Sequence, residues 1–268
     1  MCMQMWTAAR RHWPEFLMEA TGLGCFMLSA CLFTALIEYP GSPVRKTILD
    51  PFLRRALIGV AMGFTAIAII YSPWGQRSGA HLNPSVTLTF LSLGKIHGWD
   101  AFFYVVAQFV GGLLGVVLAD VLLGNVLRHS AVNYVVTVPG RDGAAIAFWS
   151  EFLISGFLMG TVLLVSNSKA FSRYTGLFAG ALITIFVACE APISGMSMNP
   201  ARTFGSALPA HLWTSWWVYF TAPLAGMLLA GRVYRVACGA AATRCAKLNH
   251  SPGRRCIFHC NFCTSGER

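Results

Sequence analysis

Charge is what this sequence has least of. Only 11% of its 268 residues are Asp, Glu, Lys or Arg, against about 25% in soluble domains, whose surfaces must face water. One or two water-soluble domains, the ordinary outcome for this length, are therefore excluded. No cleavable leader pattern precedes the first apolar run, so that run is expected to stay in the membrane. A disulfide framework is missing as well, despite nine cysteines. Cys25, Cys31 and Cys189 sit in or at the edge of apolar runs, where cysteine acts as a small hydrophobe. Five others crowd the C-terminal tail, which is assigned to a reducing compartment.

What is present is hydrophobic: 56% of the residues, with a mean hydropathy of +0.59. About 20 consecutive apolar residues cross a bilayer core. Six spans are expected, at Phe16–Ile37, Ala56–Tyr71, Ala101–Gly124, Ile146–Val165, Thr175–Cys189 and Trp213–Gly231. Two more apolar stretches, after Gly79 and after Gly195, are too brief to cross. A formal charge of +10 could point to nucleic acid, but its distribution points to a membrane. With both termini inside, thirteen of the twenty Lys and Arg fall on the inner side, as the positive-inside rule requires. Arg45, Lys46, Arg54 and Arg55, read as part of the first outer loop, run against that trend.

The two halves share one grammar. Each opens a span near a glutamate, Glu19 or Glu151, adds a second span, and reaches a loop of pattern SGxxxNP. These loops are Ser78-Gly79-Ala80-His81-Leu82-Asn83-Pro84-Ser85 and Ser194-Gly195-Met196-Ser197-Met198-Asn199-Pro200-Ala201. Three spans per half force the halves into opposite orientations, and such inverted repeats place the solute path near the midplane, at broken helices. Proline suits the first position of a helix, and asparagine before it is a favoured N-cap. Two re-entrant half-helices meeting N-terminus to N-terminus gather about half a positive charge each. That repels cations, while a neutral solute accepts hydrogen bonds from Asn83 and Asn199. The predicted fold class is all-α: six transmembrane helices and two re-entrant half-helices. Residues 1–14 form an N-terminal segment, 15–232 a channel domain (repeats at about 15–124 and 146–232), and 233–268 a basic, Cys-rich tail.

With SGAHLNPSVTL (Ser78–Leu88), SGMSMNPARTFG (Ser194–Gly205), AQFVGG (Ala107–Gly112) and the two half-opening glutamates, the chain resembles the major intrinsic protein (aquaporin) superfamily. The resemblance covers roughly residues 14–232. The sequence departs from the family's Asn-Pro-Ala at Ser85, while Ala201 matches it. The resemblance implies a homotetramer with one pore per protomer, in the plasma membrane, with both termini cytoplasmic. It implies water or another small neutral solute as the permeant and the bilayer as the surroundings.

Arg202 follows the second motif directly. A charge at membrane depth is costly and is normally kept for function; the resemblance puts it in an outer constriction. The same resemblance, counted back from Asn199, implies that Val187 and Met196 belong to that ring. Counting back from Asn83 adds Gly63, or Met62 if the Ser72–Gly75 loop holds one insertion. Such a ring is less polar than a strict water filter, which admits glycerol, ammonia, hydrogen peroxide or a metalloid acid beside water. Thr203 and Ala207, with Tyr219 and Phe220 before Pro223, are instead of the water-channel type. Glu19 and Glu151 are read as acceptors for re-entrant-loop N–H groups, with Glu15 as the substitute if the register slips one turn. His81 either lines the inner half of the pore or bonds to the loop. Gly22, Gly24, Gly111, Gly112, Gly115 and Gly226 suit close helix crossings, and Trp213, Trp216 and Trp217 an interfacial belt.

The tail reads Cys256-Ile257-Phe258-His259-Cys260-Asn261-Phe262-Cys263. Iron–sulfur radical chemistry would need a barrel domain that the chain lacks. Cys256, His259, Cys260 and Cys263 are zinc-ligand types, but the expectation is a disordered or membrane-apposed basic tail. No catalytic residue, metal or cofactor is expected. Coupled transport would need titratable groups at the midplane, where this chain offers asparagines. A non-conducting structural role sits badly with an unaltered Asn199-Pro200-Ala201-Arg202.

Overall fold

Proline and its capping neighbour decide where the helices of this protein start. Asp50 Oδ1 accepts from the N–H groups of Phe52 (2.7 Å) and Leu53 (3.3 Å), with Pro51 in the first helical position. Asn83 and Asn199 cap the helices beginning at Pro84 and Pro200 in the same manner. The computed structural model describes residues 2–250 and 253–262, with no strand among them. Eight helices carry the fold: α1 Cys2–Glu38, α2 Pro51–Tyr71, α3 Pro84–Ser92, α4 Gly98–Leu123, α5 Gly143–Ser166, α6 Thr175–Ser194, α7 Pro200–Ala210 and α8 Trp216–Cys238.

By length and composition, α1, α2, α4, α5 and α6 are apolar enough to cross a membrane. The 23-residue α8 ends on two charged turns, with Arg232 and Arg235. Its partner is α5, as α1 pairs with α4 and α2 with α6. The half-helices are exchanged: α3, from the first half, packs on α8, and α7, from the second, packs on α4. Glycine sets how closely these pairs approach. A Cβ at Gly111 of α4 would run into the carbonyl of Ala20 on α1, and one at Gly226 of α8 into the carbonyl of Phe152 on α5. Small residues allow backbones to meet where lipid gives no drive to pack.

Only 28–33% of each apolar window is buried inside the fold. Leu32, Phe64, Leu114, Leu153, Phe157 and Leu164 all point outward. In water so much exposed apolar surface would aggregate; in a bilayer it is the solvated face. Trp213, Trp216 and Trp217 are partly exposed around the α7–α8 connection.

Two expectations need correction. α2 begins at Pro51, so Arg54 and Arg55 lie in its first turns and not in a loop. Arg54 is buried, with Nε 3.0 Å from Glu38 Oε1 and Nη1 donating to the carbonyls of Ile48 and Leu49. The Asp50-Pro51 cap is the signal that fixes this start. The C-terminal segment, as far as it is described, is packed on the fold rather than disordered. Thr243, Cys245, Ala246, Lys247, Leu248 and Phe258 are buried, because this strip folds back over the first re-entrant loop and the start of α1, with the Leu248 N–H on the Gly79 carbonyl and Arg255 Nη2 on that of Arg11.

Candidate functional site

The site grows from the two SGxxxNP loops. Each enters through a left-handed glycine, Gly79 (φ 98°) or Gly195 (φ 83°). Each then forces non-glycine residues into the same region: Ala80 and Leu82 in the first, Met196 and Met198 in the second. That costs about 1–2 kcal/mol per residue, and one buried carboxylate per loop offsets it. Glu19 Oε1 accepts from Ser78 Oγ (2.8 Å) and the His81 N–H (3.1 Å), and its Oε2 from the Leu82 N–H (2.7 Å) and Gln108 Nε2 (2.9 Å). Glu151 Oε1 accepts from Ser194 Oγ and the Ser197 N–H, and its Oε2 from the Met198 N–H, all at 2.7 Å. Hydrogen bonds to a charged acceptor contribute about 1.5–3 kcal/mol each. Glu15, one turn before Glu19, takes no part in the loop; it meets Arg77 at 2.9 Å.

A pair of tyrosines repeats the symmetry and was not singled out for this from sequence. Tyr104 Oη donates to the Ser78 carbonyl and Tyr219 Oη to that of Ser194, each at 2.6 Å. Their signal was available: each lies on the third span of its half.

The asparagines do two jobs. Oδ1 of Asn83 accepts from the Ser85 N–H (2.9 Å); Oδ1 of Asn199 accepts from those of Ala201 (3.0 Å) and Arg202 (3.3 Å). Their amides then cross over. Asn83 Nδ2 donates to the Met198 carbonyl (2.7 Å), and Asn199 Nδ2 to that of Leu82 (2.8 Å). Each half-helix N-terminus is thus tied to the loop of the other. One N–H of each amide remains, and both asparagines line a cavity of about 380 Å³.

That cavity runs from Thr34, Arg55 and Val136 at one end to Leu248 at the other. Met62, Val187, Met196 and Arg202 line it as well. Arg202 is fixed by Nη1 donating to the Val135 carbonyl at 2.9 Å. Gly63 does not line the cavity: it faces α6, and a Cβ there would strike Thr184 and the Gly180 carbonyl. Of the two alternatives that counting left open, Met62 is the one beside the path. Ser85 is fully buried behind Asn83 and outside the lining, as are Pro84, Pro200 and Ala201. The substitution in the first motif therefore leaves the wall of the cavity unchanged. His81 lines the cavity and is also bonded to α3, with Nδ1 3.0 Å from Thr87 Oγ1. Its Nε2 carries the proton, because its partner at 2.7 Å is the carbonyl of Ala246.

Two sets of lining residues were missed. Arg55 stands at the cavity end nearest Arg202, with Nε donating to the Ala188 carbonyl (3.3 Å). Leu248 comes from a tail that spacing gave no reason to bring near a pore. In that tail the Cys256 and Cys260 thiols sit below the ordinary thiol range, in each case first because Cys245 hydrogen-bonds to them.

Chemically, the wall is largely hydrocarbon. Hydrogen-bond donors from Asn83, Asn199 and Arg202 interrupt it, and two helix N-termini add positive potential. No carboxylate among the described residues lines it. Such a cavity disfavours cations and offers donors to neutral oxygen or nitrogen solutes.

The sequence model of the family described as Major intrinsic protein matches residues 3–234. Similar proteins include one described as "Probable aquaporin NIP-type" from Nicotiana alata, 35% identical over 181 residues, covering 67% of this chain and 64% of that protein. Aquaporin NIP1-4 of Oryza sativa subsp. japonica is 36% identical over 170 residues, covering 63% and 60%. The chain thus spans a little under two thirds of the length of these relatives. Among solved structures, the aquaglyceroporin from Plasmodium falciparum superposes with a TM-score of 0.70 at 23% identity, over 85% of this chain and 97% of that one. This likeness is one of fold.

Proposed function

The chain belongs to the major intrinsic protein family, and from that premise we propose that it is a passive transmembrane channel, not an enzyme, for water and other small neutral solutes. The observation that carries this is the crossed pair of asparagines. Each spends one N–H on the opposite loop and turns the rest of its amide toward a shared cavity. Two opposed half-helix N-termini, each about half a positive charge, together with Arg202, exclude cations and hydronium. Met62, Val187, Met196 and Arg202 form the selective ring. Three of the four are apolar, so the ring admits solutes larger and less polar than water, such as glycerol, ammonia, hydrogen peroxide or an uncharged metalloid acid. Glu19, Glu151 and His81 hold the loops. The channel works in the plasma membrane as a homotetramer with both termini cytoplasmic, a placement that the bias of positive charge supports.

Stopped-flow light scattering on reconstituted vesicles tests the reading. Fast osmotic responses that need no ion gradient are expected, with uptake of at least one of the larger neutral solutes and no proton or cation leak. Rates equal to those of protein-free vesicles for every solute, with and without a metal chelator present, would refute it.

A further inference from the structure

The C-terminal segment holds a cluster that the pore does not use. One ligand atom each from Cys245, His250, Cys256 and Cys260 lies within 4.8 Å of all the others. Cys245 Sγ is 3.6 Å from Cys256 Sγ, and Cys260 Sγ is 3.2 Å from His250 Nε2. A tetrahedral zinc ion, with bonds of about 2.3 Å to sulfur and 2.0 Å to nitrogen, spaces its ligands about 3.5–3.8 Å apart. Those two pairs need adjustments of a few tenths of an ångström and the remaining pairs, none beyond 4.8 Å, at most about 1 Å to seat one ion, and atoms this close leave no room for a multi-iron cluster. Three thiolates and an imidazole are a soft set that favours zinc. With four protein ligands the coordination is closed, so the ion is structural rather than catalytic.

Lys247 is a second, independent observation. It is only 2% exposed, which is rare for a lysine unless it is paired. Nζ donates to the Arg255 carbonyl at 2.6 Å, and no carboxylate stands within ion-pair distance of it among the described residues. The carbonyl it meets belongs to the residue before Cys256, and Lys247 itself stands two residues after Cys245. A dication with three thiolates and a neutral imidazole carries one net negative charge, which this buried ammonium balances.

The residues between the ligands are those that touch the pore. Between Cys245 and His250, the Ala246 carbonyl accepts from His81 (2.7 Å), the Leu248 N–H donates to the Gly79 carbonyl (3.1 Å), and the Leu248 side chain lines the cavity. Between Cys256 and Cys260, Phe258 stacks on His81 with ring centroids 5.4 Å apart, and the next residue, His259, is tied by its N–H to the Lys95 carbonyl (3.0 Å). We propose that Cys245, His250, Cys256 and Cys260 bind one structural zinc ion, and that this ion clamps Leu248 and Phe258 over the pore mouth so that loss of the metal opens it. The opening rests on the channel reading above; the metal site does not. His259, one of the ligands expected from spacing, points its Nδ1 to the Gly94 carbonyl instead (2.8 Å), and Cys263 lies outside the described residues.

The test uses the full chain, purified under reducing conditions with zinc or cobalt(II) as the sole added metal. About one zinc per chain is expected by native mass spectrometry, as a four-ligand closed site requires. Cobalt should give thiolate-to-metal absorption in the near ultraviolet and tetrahedral bands in the visible. Cys245→Ser, and the pair Cys256→Ser with Cys260→Ser, should lose both signals, while His259→Ala and Cys263→Ser keep them. Metal lost in Cys263→Ser but retained in Cys245→Ser would overturn the ligand set. A Cys245–Cys256 disulfide with no metal bound would overturn the site, and the cobalt spectrum of the unaltered chain decides even if a variant misfolds. In vesicles, chelation should raise water permeability several-fold, and the double serine variant should be open and indifferent to chelator. Permeability unchanged on stripping a zinc shown to be bound would refute the clamp. Absent flux in both states, with zinc bound, would refute the opening and the channel reading together while the metal site stood.

Discussion

Asn199→Asp alters two things at once, and their sizes can be separated. Aspartate caps a helix about as well as asparagine, and a charge at the N-terminus of α7 gains about 0.3–1 kcal/mol from the dipole. Against this, a carboxylate in place of the Asn199 amide cannot donate to the Leu82 carbonyl now 2.8 Å away, and an orphaned buried carbonyl costs about 1–3 kcal/mol. The net effect is a protein destabilised by about 1–2 kcal/mol that still folds. The effect on the path is larger. A unit charge about 4 Å from a permeating cation contributes about 4 kcal/mol at an effective dielectric of about 20. The two half-helix N-termini together supply about one positive charge, so the new carboxylate cancels most of their barrier. At 1.36 kcal/mol per tenfold, cation leak should rise by about three orders of magnitude. Leak of potassium or protons is read by dye-loaded vesicles, at one zinc loading for all samples. Asn199→Ser is the control, because it keeps a capping oxygen and loses the donor without adding charge. The reasoning fails if folded Asn199→Asp excludes cations as the unaltered chain does, or if Asn199→Ser leaks equally.

Three further outcomes are expected. Arg202→Val removes a fixed cation and its 2.9 Å bond to the Val135 carbonyl; neutral flux should persist while cation leak rises, and unchanged selectivity would put Arg202 off the path. Glu151→Gln keeps one accepting oxygen and turns a donor toward the N–H of either Ser197 or Met198, which now bond to different carboxylate oxygens, so melting in detergent should shift to lower temperature by the equivalent of about 1–3 kcal/mol; an unshifted transition would mean the loop holds itself. Met62→Ala should widen the cavity and raise glycerol relative to water flux, whereas Gly63→Ala should leave that ratio alone and lower stability by about 1–3 kcal/mol through overpacking against α6; the reverse pattern would return Gly63 to the wall.

Periodic and repeated features are legible in the sequence itself. The doubled SGxxxNP loops gave the half-helices, because an Asn-Pro cap depends on a few neighbouring residues. The glutamates could be assigned to the loops because a carboxylate inside an apolar span must find donors. Facing could not be read so easily. Met62 and Gly63 differ by one step, about 100° around a helix, and counting through a loop of unknown length cannot fix it. The tail was misjudged because spacing favoured the near neighbours His259 and Cys263. The chain instead turns back to bring Cys245 and His250 to Cys256 and Cys260, a tertiary contact that local pattern does not encode. Arg55 was overlooked because an arginine next to an outer loop looks solvated until the helix start at Pro51 is recognised.

The crossed amide bonds carry a consequence for biogenesis. Asn83 reaches Met198 across 115 residues and Asn199 reaches Leu82 across 117. While the chain is being made, the first re-entrant loop is inserted with the Leu82 carbonyl lacking its donor and the Asn83 amide lacking its acceptor. Both deficits end only when the second loop enters the bilayer. The first half therefore stays without these two bonds throughout synthesis of α4, α5 and α6. A product truncated before the second loop can make neither bond, so this single junction distinguishes the finished chain from the unfinished one.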